Sequence, residues 1–137
     1  MKPVSIIVFC VLTNPLFLTA QVSDSLKYQS LSPDEFQKKF LVEENALLID
    51  IREFFEFRRT RIKGAVNIPS SGNLEIAADT IDKDASLFLY CYSGTRSKKA
   101  ARVFYDKGFR KLYSLDGGIT LWKKERMTVD RKRIRRR

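Results

Sequence analysis

The stretch "LFLYCYSGTRSKKAARVF" (87–104) ends an apolar run at a cysteine, Cys91, and follows it with small, polar and basic residues. A thiolate is a strong nucleophile, but a free thiol of pKa about 8.5 is only a few per cent ionised at neutral pH. The usual helper, histidine, is absent from the whole chain. What the order of strand, tight loop and helix start supplies instead is an anion nest, with backbone N–H groups of residues 92–97 turned toward the sulfur. The positive end of the following helix adds to it. Gly94 permits the curl through a positive φ, and Arg96 brings a permanent charge able to hold a substrate oxyanion. Tyr92, Ser93 and Thr95 complete the loop and suit turn geometry as well as they suit substrate contact. Taken alone, a cysteine at a strand end reads as a small buried hydrophobe. Gly94, Arg96 and a helix start within six residues turn the reading toward a reactive thiol.

Such a loop needs rigid elements to hold it. Ser32 as N-cap, Pro33 at the first helical position and Glu35 as the capping-box partner predict a helix, with Phe36, Phe40 and Leu41 on its apolar stripe. "ALLID" (46–50) suits a strand buried on both faces. "REFFEFRRT" forms one short helix with Phe54 and Phe57 inward, and "GAVNIP" (64–69) gives another short strand. Residues 74–82 read as a helical turn or two. "SLFLYC" (86–91) reads as the central strand, and "RSKKAARVFYDKG" as a helix burying Ala100, Ala101, Val103 and Phe104 and ended by Gly108. "KLYSL" (111–115) is a last strand, "DGG" a turn and "ITLWKKE" a closing helix. This alternation predicts a single α/β domain, a central parallel sheet with helices on both faces. Sites in such sheets form outside the carboxyl ends of strands, where Asp50–Arg52, Cys91–Ser97 and Asp116–Gly118 fall.

A chain of 137 residues with 44% hydrophobic content has room for one such domain. The net charge of +10 suggests nucleic acid until it is located. Residues 123–137, "KKERMTVDRKRIRRR", carry +7 of it, while 21–122 carry only +2. The excess belongs to a basic tail (123–137) and not to the fold. Residues 1–20 read as a signal peptide: Lys2, the apolar "VSIIVFCVL", and a cleavage site before Gln21. That predicts a periplasmic or secreted protein, with an uncleaved anchor as the other outcome. It also removes Cys10, leaving Cys91 as the only thiol and no disulfide to staple the domain. One cysteine without histidine does not make a zinc site, so no metal is expected.

Two segments, "LLIDIREFFEFRRTRIKGAVNIP" (47–69) and "LYCYSGTRSKKAARVFYDKGFRKLYSLDGGITLW" (89–122), resemble the two signatures of the rhodanese family, in the family's order and spacing. The first is close to LIDVREPEEFxxGHIPGAxNIP. The resemblance covers 30–122, leaving 21–29 as an N-terminal extension, and with the export signal it is most similar to single-domain periplasmic rhodaneses. It implies a thiosulfate sulfurtransferase in which Cys91 takes the outer sulfur of an anionic small-molecule donor as a persulfide and passes it to a thiol or cyanide. Tyr92, Ser93, Gly94, Thr95 and Arg96 would form the substrate cradle, with Arg96 near the donor's oxygens. Asp50 would be structural, and Arg52 a contributor near the pocket. Gly64 and Ala65 match turn and packing positions, and Gly117, Gly118 and Trp122 match the closing turn and its core anchor. No cofactor is implied, and a monomer is expected. The family's Gly-His pair is Thr60-Arg61 here, and its prolines are Phe54 and Lys63.

A cysteine phosphatase or arsenate reductase fits less well. Its loop needs arginine six places after the cysteine, and position 97 is serine. A second alternative is a low-turnover persulfide relay or binding module. Its basic tail would dock an acidic protein or an anionic membrane surface. By composition the tail itself reads as a solvated extension, and an exported protein would seldom meet nucleic acid.

Overall fold

The computed structural model describes residues 22–134. The signal-peptide reading of residues 1–20 lies outside them, as do Arg135–Arg137. In chain order the elements are α1 (Asp24–Lys27), β1 (Gln29–Leu31), α2 (Pro33–Val42), β2 (Ala46–Asp50), α3 (Phe54–Phe57), β3 (Arg61–Ile62) and β4 (Val66–Asn67). Then follow α4 (Leu74–Asp79), β5 (Ser86–Tyr90), α5 (Thr95–Asp106), β6 (Leu112–Leu115), α6 (Gly118–Lys124) and β7 (Val129–Asp130).

Local signals place the helix ends. At α2 the Ser32 hydroxyl accepts from the Glu35 N–H while the Glu35 carboxylate accepts from the Ser32 N–H, a complete capping box with Pro33 behind it. At the end of α5 the Phe109 N–H reaches the Phe104 carbonyl and the Gly108 N–H the Tyr105 carbonyl, and the rings of Phe104 and Phe109 meet edge to face at 5.5 Å. This is a Schellman ending with its apolar contact, which hands the chain directly to β6.

Five strands form one parallel sheet in the order β1-β6-β5-β2-β4, with β5 at its centre. Strand period sorts the β5 side chains onto two cores. Leu87, Leu89 and Cys91 join Ala100, Ala101 and Phe104 of α5 on one face. Phe88 and Tyr90 join Phe36 of α2 and Ile119 and Trp122 of α6 on the other. Helices therefore cover both faces, as the alternation predicts. Register aligns the carboxyl ends, with Asp50 of β2 beside Tyr90 of β5 and Leu89 beside Ser114 of β6.

Several details depart from the sequence reading. Leu41 is 73% exposed, because it stands about 140° around the helix from Phe36, whereas Phe40 is only about 40° away. Val103 is only half-buried. The fold also extends beyond 30–122 at both ends. On the N-terminal side β1 starts at Gln29 and pairs with β6, and Asp24 forms an ion pair with Arg102 of α5. On the C-terminal side α6 runs to Lys124, and β7 pairs antiparallel with β3. There Asp130 forms an ion pair with Arg61, Trp122 Nε1 donates to the Thr128 carbonyl, and Met127 and Val129 pack on the α2/α6 core. The segment up to Asp130 is therefore docked on the fold, whereas Arg131, Lys132 and Arg133 beyond it are exposed.

Candidate active site

Cys91 ends the central strand, and the next residues curl back over its sulfur. Gly94 N–H points at Sγ from 3.1 Å and Ser97 N–H from 3.4 Å. Two backbone donors converging on one sulfur stabilise negative charge there. Gly94 makes the curl at φ +101, where a side chain would be strained, and becomes the N-cap of α5. The twelve-residue α5 starts at Thr95, one residue before the "RSKKAARVFYDKG" stretch, so the Ser97 N–H lies in its first turn among the free donors.

The loop is braced from below. Ile119 N–H donates to the Cys91 carbonyl, and the Thr120 N–H and hydroxyl both donate to the Tyr92 carbonyl. Such an approach leaves no space for a side chain at Gly118, where a Cβ would stand 2.5 Å from both of those carbonyl oxygens. Behind the sulfur, the Ser97 hydroxyl lies 3.7 Å from Sγ, 3.0 Å from the Gly94 carbonyl and 2.9 Å from the Ser114 hydroxyl. Both serines are fully buried.

Arg96 leaves the loop toward α3 and pairs in a fork with Glu56, at 3.1 and 3.3 Å. Glu56 is itself held by the α3 capping box, its carboxylate accepting from the Glu53 N–H. Partial burial acts to raise the Glu56 carboxyl. The Arg96 and Glu53 hydrogen bonds and the charges of Arg96 and Arg52 outweigh it and hold Glu56 below the usual carboxylate range. Arg96 in turn is held above its ordinary value, first by the Glu56 hydrogen bonds and with Cys91 among the charges that act on it.

Arg52 is arranged differently. It is 3% exposed and donates to both Asp50 oxygens and, at 2.6 Å, to the Thr60 carbonyl. Asp50 also accepts from the Arg52 N–H and lies against Tyr90, whose hydroxyl accepts from the Ile62 N–H. Burial first, and then the Asp50 carboxylate, push the Tyr90 phenol far up, so it remains a neutral donor. This network ties the end of β2 to β5 and to the Thr60–Ile62 segment.

Of the residues singled out from sequence, Gly94 meets the Cys91 sulfur directly, whereas Arg96 starts in the same turn and turns its guanidinium to Glu56. Tyr92, Ser93 and Thr95 form the exposed outer rim, Tyr92 at 54%. Arg52 is buried against Asp50, with Nε and Nη2 on the carboxylate and Nη2 also on the Thr60 carbonyl. Sequence reasoning included the Ser97 N–H in the nest but missed Glu56, Ser114 and the Ser97 hydroxyl. The E-x-x-E pattern of 53–56 was a cap signal that could have marked Glu56, and Ser97 was marked by its place in the first turn after Gly94. Among the described residues no group of three or more His, Cys, Asp or Glu could hold a metal ion.

A cysteine at the end of the central strand of a parallel sheet, ringed by amides, has matches among known proteins. The rhodanese-like domain family matches residues 32–125. Thiosulfate sulfurtransferase GlpE of Pseudomonas aeruginosa is 36% identical over 96 residues, spanning 70% of this chain and 84% of that protein. The putative sulfur carrier protein YrkF of Bacillus subtilis is 32% identical over 92 residues, but this chain spans only about half of it, 49%. Among solved structures, a rhodanese-related protein from Thermoplasma volcanium aligns with a TM-score of 0.66 at 25% identity, covering 75% of this chain and 98% of that one. The chain belongs to the rhodanese-like family, and that membership supports sulfur transfer as its activity.

Proposed function

We propose that the protein is a sulfurtransferase that carries a sulfane sulfur on Cys91 and takes it from a small anionic donor such as thiosulfate. The observation that carries the reading is the pair of N–H groups on Cys91 Sγ; Arg96, in the first turn of α5, forms a partly exposed pair with Glu56. The Cys91 thiolate attacks the outer sulfur of thiosulfate. A sulfur–sulfur bond forms to Cys91 as the donor's own sulfur–sulfur bond breaks, and sulfite leaves with its electron pair. Arg96 exchanges Glu56 for the donor's oxygens as thiosulfate binds, and the persulfide anion left after sulfite departs sits where the Gly94 and Ser97 amides hold charge. A thiophilic acceptor, cyanide or a thiolate, attacks the outer sulfur in the second step, leaving as thiocyanate or a new persulfide and restoring the thiolate. Cys91 is only 1% exposed, which favours slender donors and acceptors.

Thiocyanate formation from thiosulfate and cyanide tests this directly. The parent chain turns over, and Cys91→Ser falls to the uncatalysed rate with an unchanged unfolding midpoint. Transfer by Cys91→Ser near the parent rate contradicts the assignment. A second reading, a persulfide relay of low turnover serving a partner, draws on the similarity to YrkF. It is favoured if Cys91 loads stoichiometrically while steady-state turnover stays at background. For either reading we propose a place outside the cytoplasm, which recovery of the domain in the exported or membrane-attached outer fraction supports and recovery in the cytoplasmic fraction contradicts.

A further inference from the structure

Two basic runs far apart in the sequence, "RRTRIK" (58–63) and "DRKRI" (130–134), are brought together by the β3–β7 pairing. The register sets Arg61 opposite Asp130 and Ile62 opposite Val129, and the Ile134 N–H approaches the Arg58 carbonyl at 3.4 Å. The central pair consumes its own charges. Arg61 is buried, binds Asp130 and the Lys132 carbonyl, and lies over the Phe57 ring. Around it the other cations are left over. Arg58, Arg59, Lys63, Arg131, Lys132 and Arg133 have no carboxylate within ion-pair distance among the described residues. All but the half-buried Arg58 are exposed. The nearby acids are committed elsewhere, Glu53 to Ser71, Glu56 to Arg96 and Asp130 to Arg61.

Beside these cations stands an apolar side chain with no core to join. Phe55 is 59% exposed in α3, and Arg58, the helix C-cap, follows it at three residues, with Arg59 next in the turn. An excess of exposed positive charge with an exposed aromatic side chain close by in the sequence suits the boundary of an anionic bilayer. There the cations meet headgroup charge, and the ring enters the interface. No helix among the described residues is long and apolar enough to cross a membrane, so the contact would be peripheral.

We infer that the face built by β3, β7 and the end of α3 docks the protein on an anionic lipid surface. An acidic polypeptide would need carboxylates placed opposite each cation, whereas a charged bilayer needs only the excess and the apolar edge. This docking is independent of the Cys91 chemistry and fails or stands separately from it.

The test is sedimentation of the full chain with phosphatidylcholine vesicles, with and without phosphatidylglycerol at about 30 mol%, in about 0.1 M salt. The quantity read is the extra binding that the anionic lipid brings. The joint variant Arg59→Glu, Lys63→Glu, Lys132→Glu and Arg133→Glu is expected to lower it about tenfold or more. Phe55→Ser is expected to lower it several-fold, and about 0.5 M salt to remove most of it. Unchanged alkylation of Cys91 in the joint variant shows that its fold is intact. No extra binding to anionic vesicles, or extra binding that the joint variant leaves unchanged, overturns the inference. Tighter binding at the same salt to polyglutamate or to a single-stranded oligonucleotide than to the vesicles also overturns it and assigns the face to that class of partner.

Discussion

Arg52 and Arg96 stand at ends of neighbouring structural elements near Cys91, yet they are held in opposite ways. Arg52 and Asp50 are 3% and 0% exposed, and the guanidinium also donates to the Thr60 carbonyl. Arg96 and Glu56 are 33% and 19% exposed, and Glu56 is the one acid Arg96 pairs with among the described residues. Removing one member of a buried pair strands a charge away from water, while opening a partly exposed pair costs little because solvent replaces the partner. The contrast separates a guanidinium that holds the fold from one that is available to an anionic substrate.

The sharpest way to break this comparison is Arg52→Ala. It leaves Asp50 buried without its partner and is expected to cost about 3–5 kcal/mol of stability by urea unfolding, with activity lost in proportion to the unfolded fraction. A loss below about 1 kcal/mol would place the two arginines in one class. Arg96→Ala is expected to do the reverse. Its stability should change by at most about 1 kcal/mol. Its kcat/KM for thiosulfate should fall about tenfold or more, the scale of one lost charge-assisted hydrogen bond. An unaltered kcat/KM would remove Arg96 from donor binding.

Glu56→Gln sharpens the comparison further. The amide oxygen still accepts from the Glu53 N–H, but the competitor for Arg96 loses its charge, so KM for thiosulfate should fall by a few fold with kcat little changed. The pH dependence follows the same pair. The Glu56 carboxyl is depressed in the folded state, so its contribution is present above the ordinary glutamate value of 4.5 and is lost as pH falls through the lower folded value. Kinetic effects of Glu56→Gln should therefore be constant from about pH 5 to 8 and shrink only in more acidic solution. A difference between the two proteins that titrates near neutrality would contradict this. The smallest effect belongs to Thr60, whose buried hydroxyl has no hydrogen-bond partner among the described residues. Thr60→Val removes that hydroxyl at nearly constant shape and should be neutral or slightly stabilising, within about 1 kcal/mol by thermal unfolding. A larger loss would mean that the hydroxyl has a partner after all.

What the sequence made legible was whatever is decided locally. The Ser32 capping box, the apolar run of β5 and the Gly108 ending of α5 need only residues within a few places of one another. The cradle of Cys91 is local in the same sense, since Gly94 and Ser97 lie three and six residues from the sulfur they contact. Strands β1, β3 and β7 were not legible. They are two or three residues long, too short for an alternating pattern, and exist because distant partners pair with them, Gln29 with Tyr113 and Arg61 with Asp130. Arg61 had been noted only as a departure from the rhodanese pattern, and its role emerges once Asp130 is beside it. Composition did not mark Asp130 for the same reason, because charge counting does not register one acid placed to anchor a strand, although the cations after it are exposed. Glu56 stands 40 residues from Arg96, and Ser114 stands 17 from Ser97. Only the tertiary fold brings them to the loop.

The central claim, that Cys91 carries the transferred sulfur, is tested most directly by intact mass spectrometry of the purified chain before and after thiosulfate, and again after cyanide. The account predicts a gain of one sulfur, mapped to Cys91, absent in Cys91→Ser and removed by cyanide. No gain on a Cys91 that remains open to alkylation would contradict thiosulfate as the donor, and a gain that persists in Cys91→Ser would contradict the site itself.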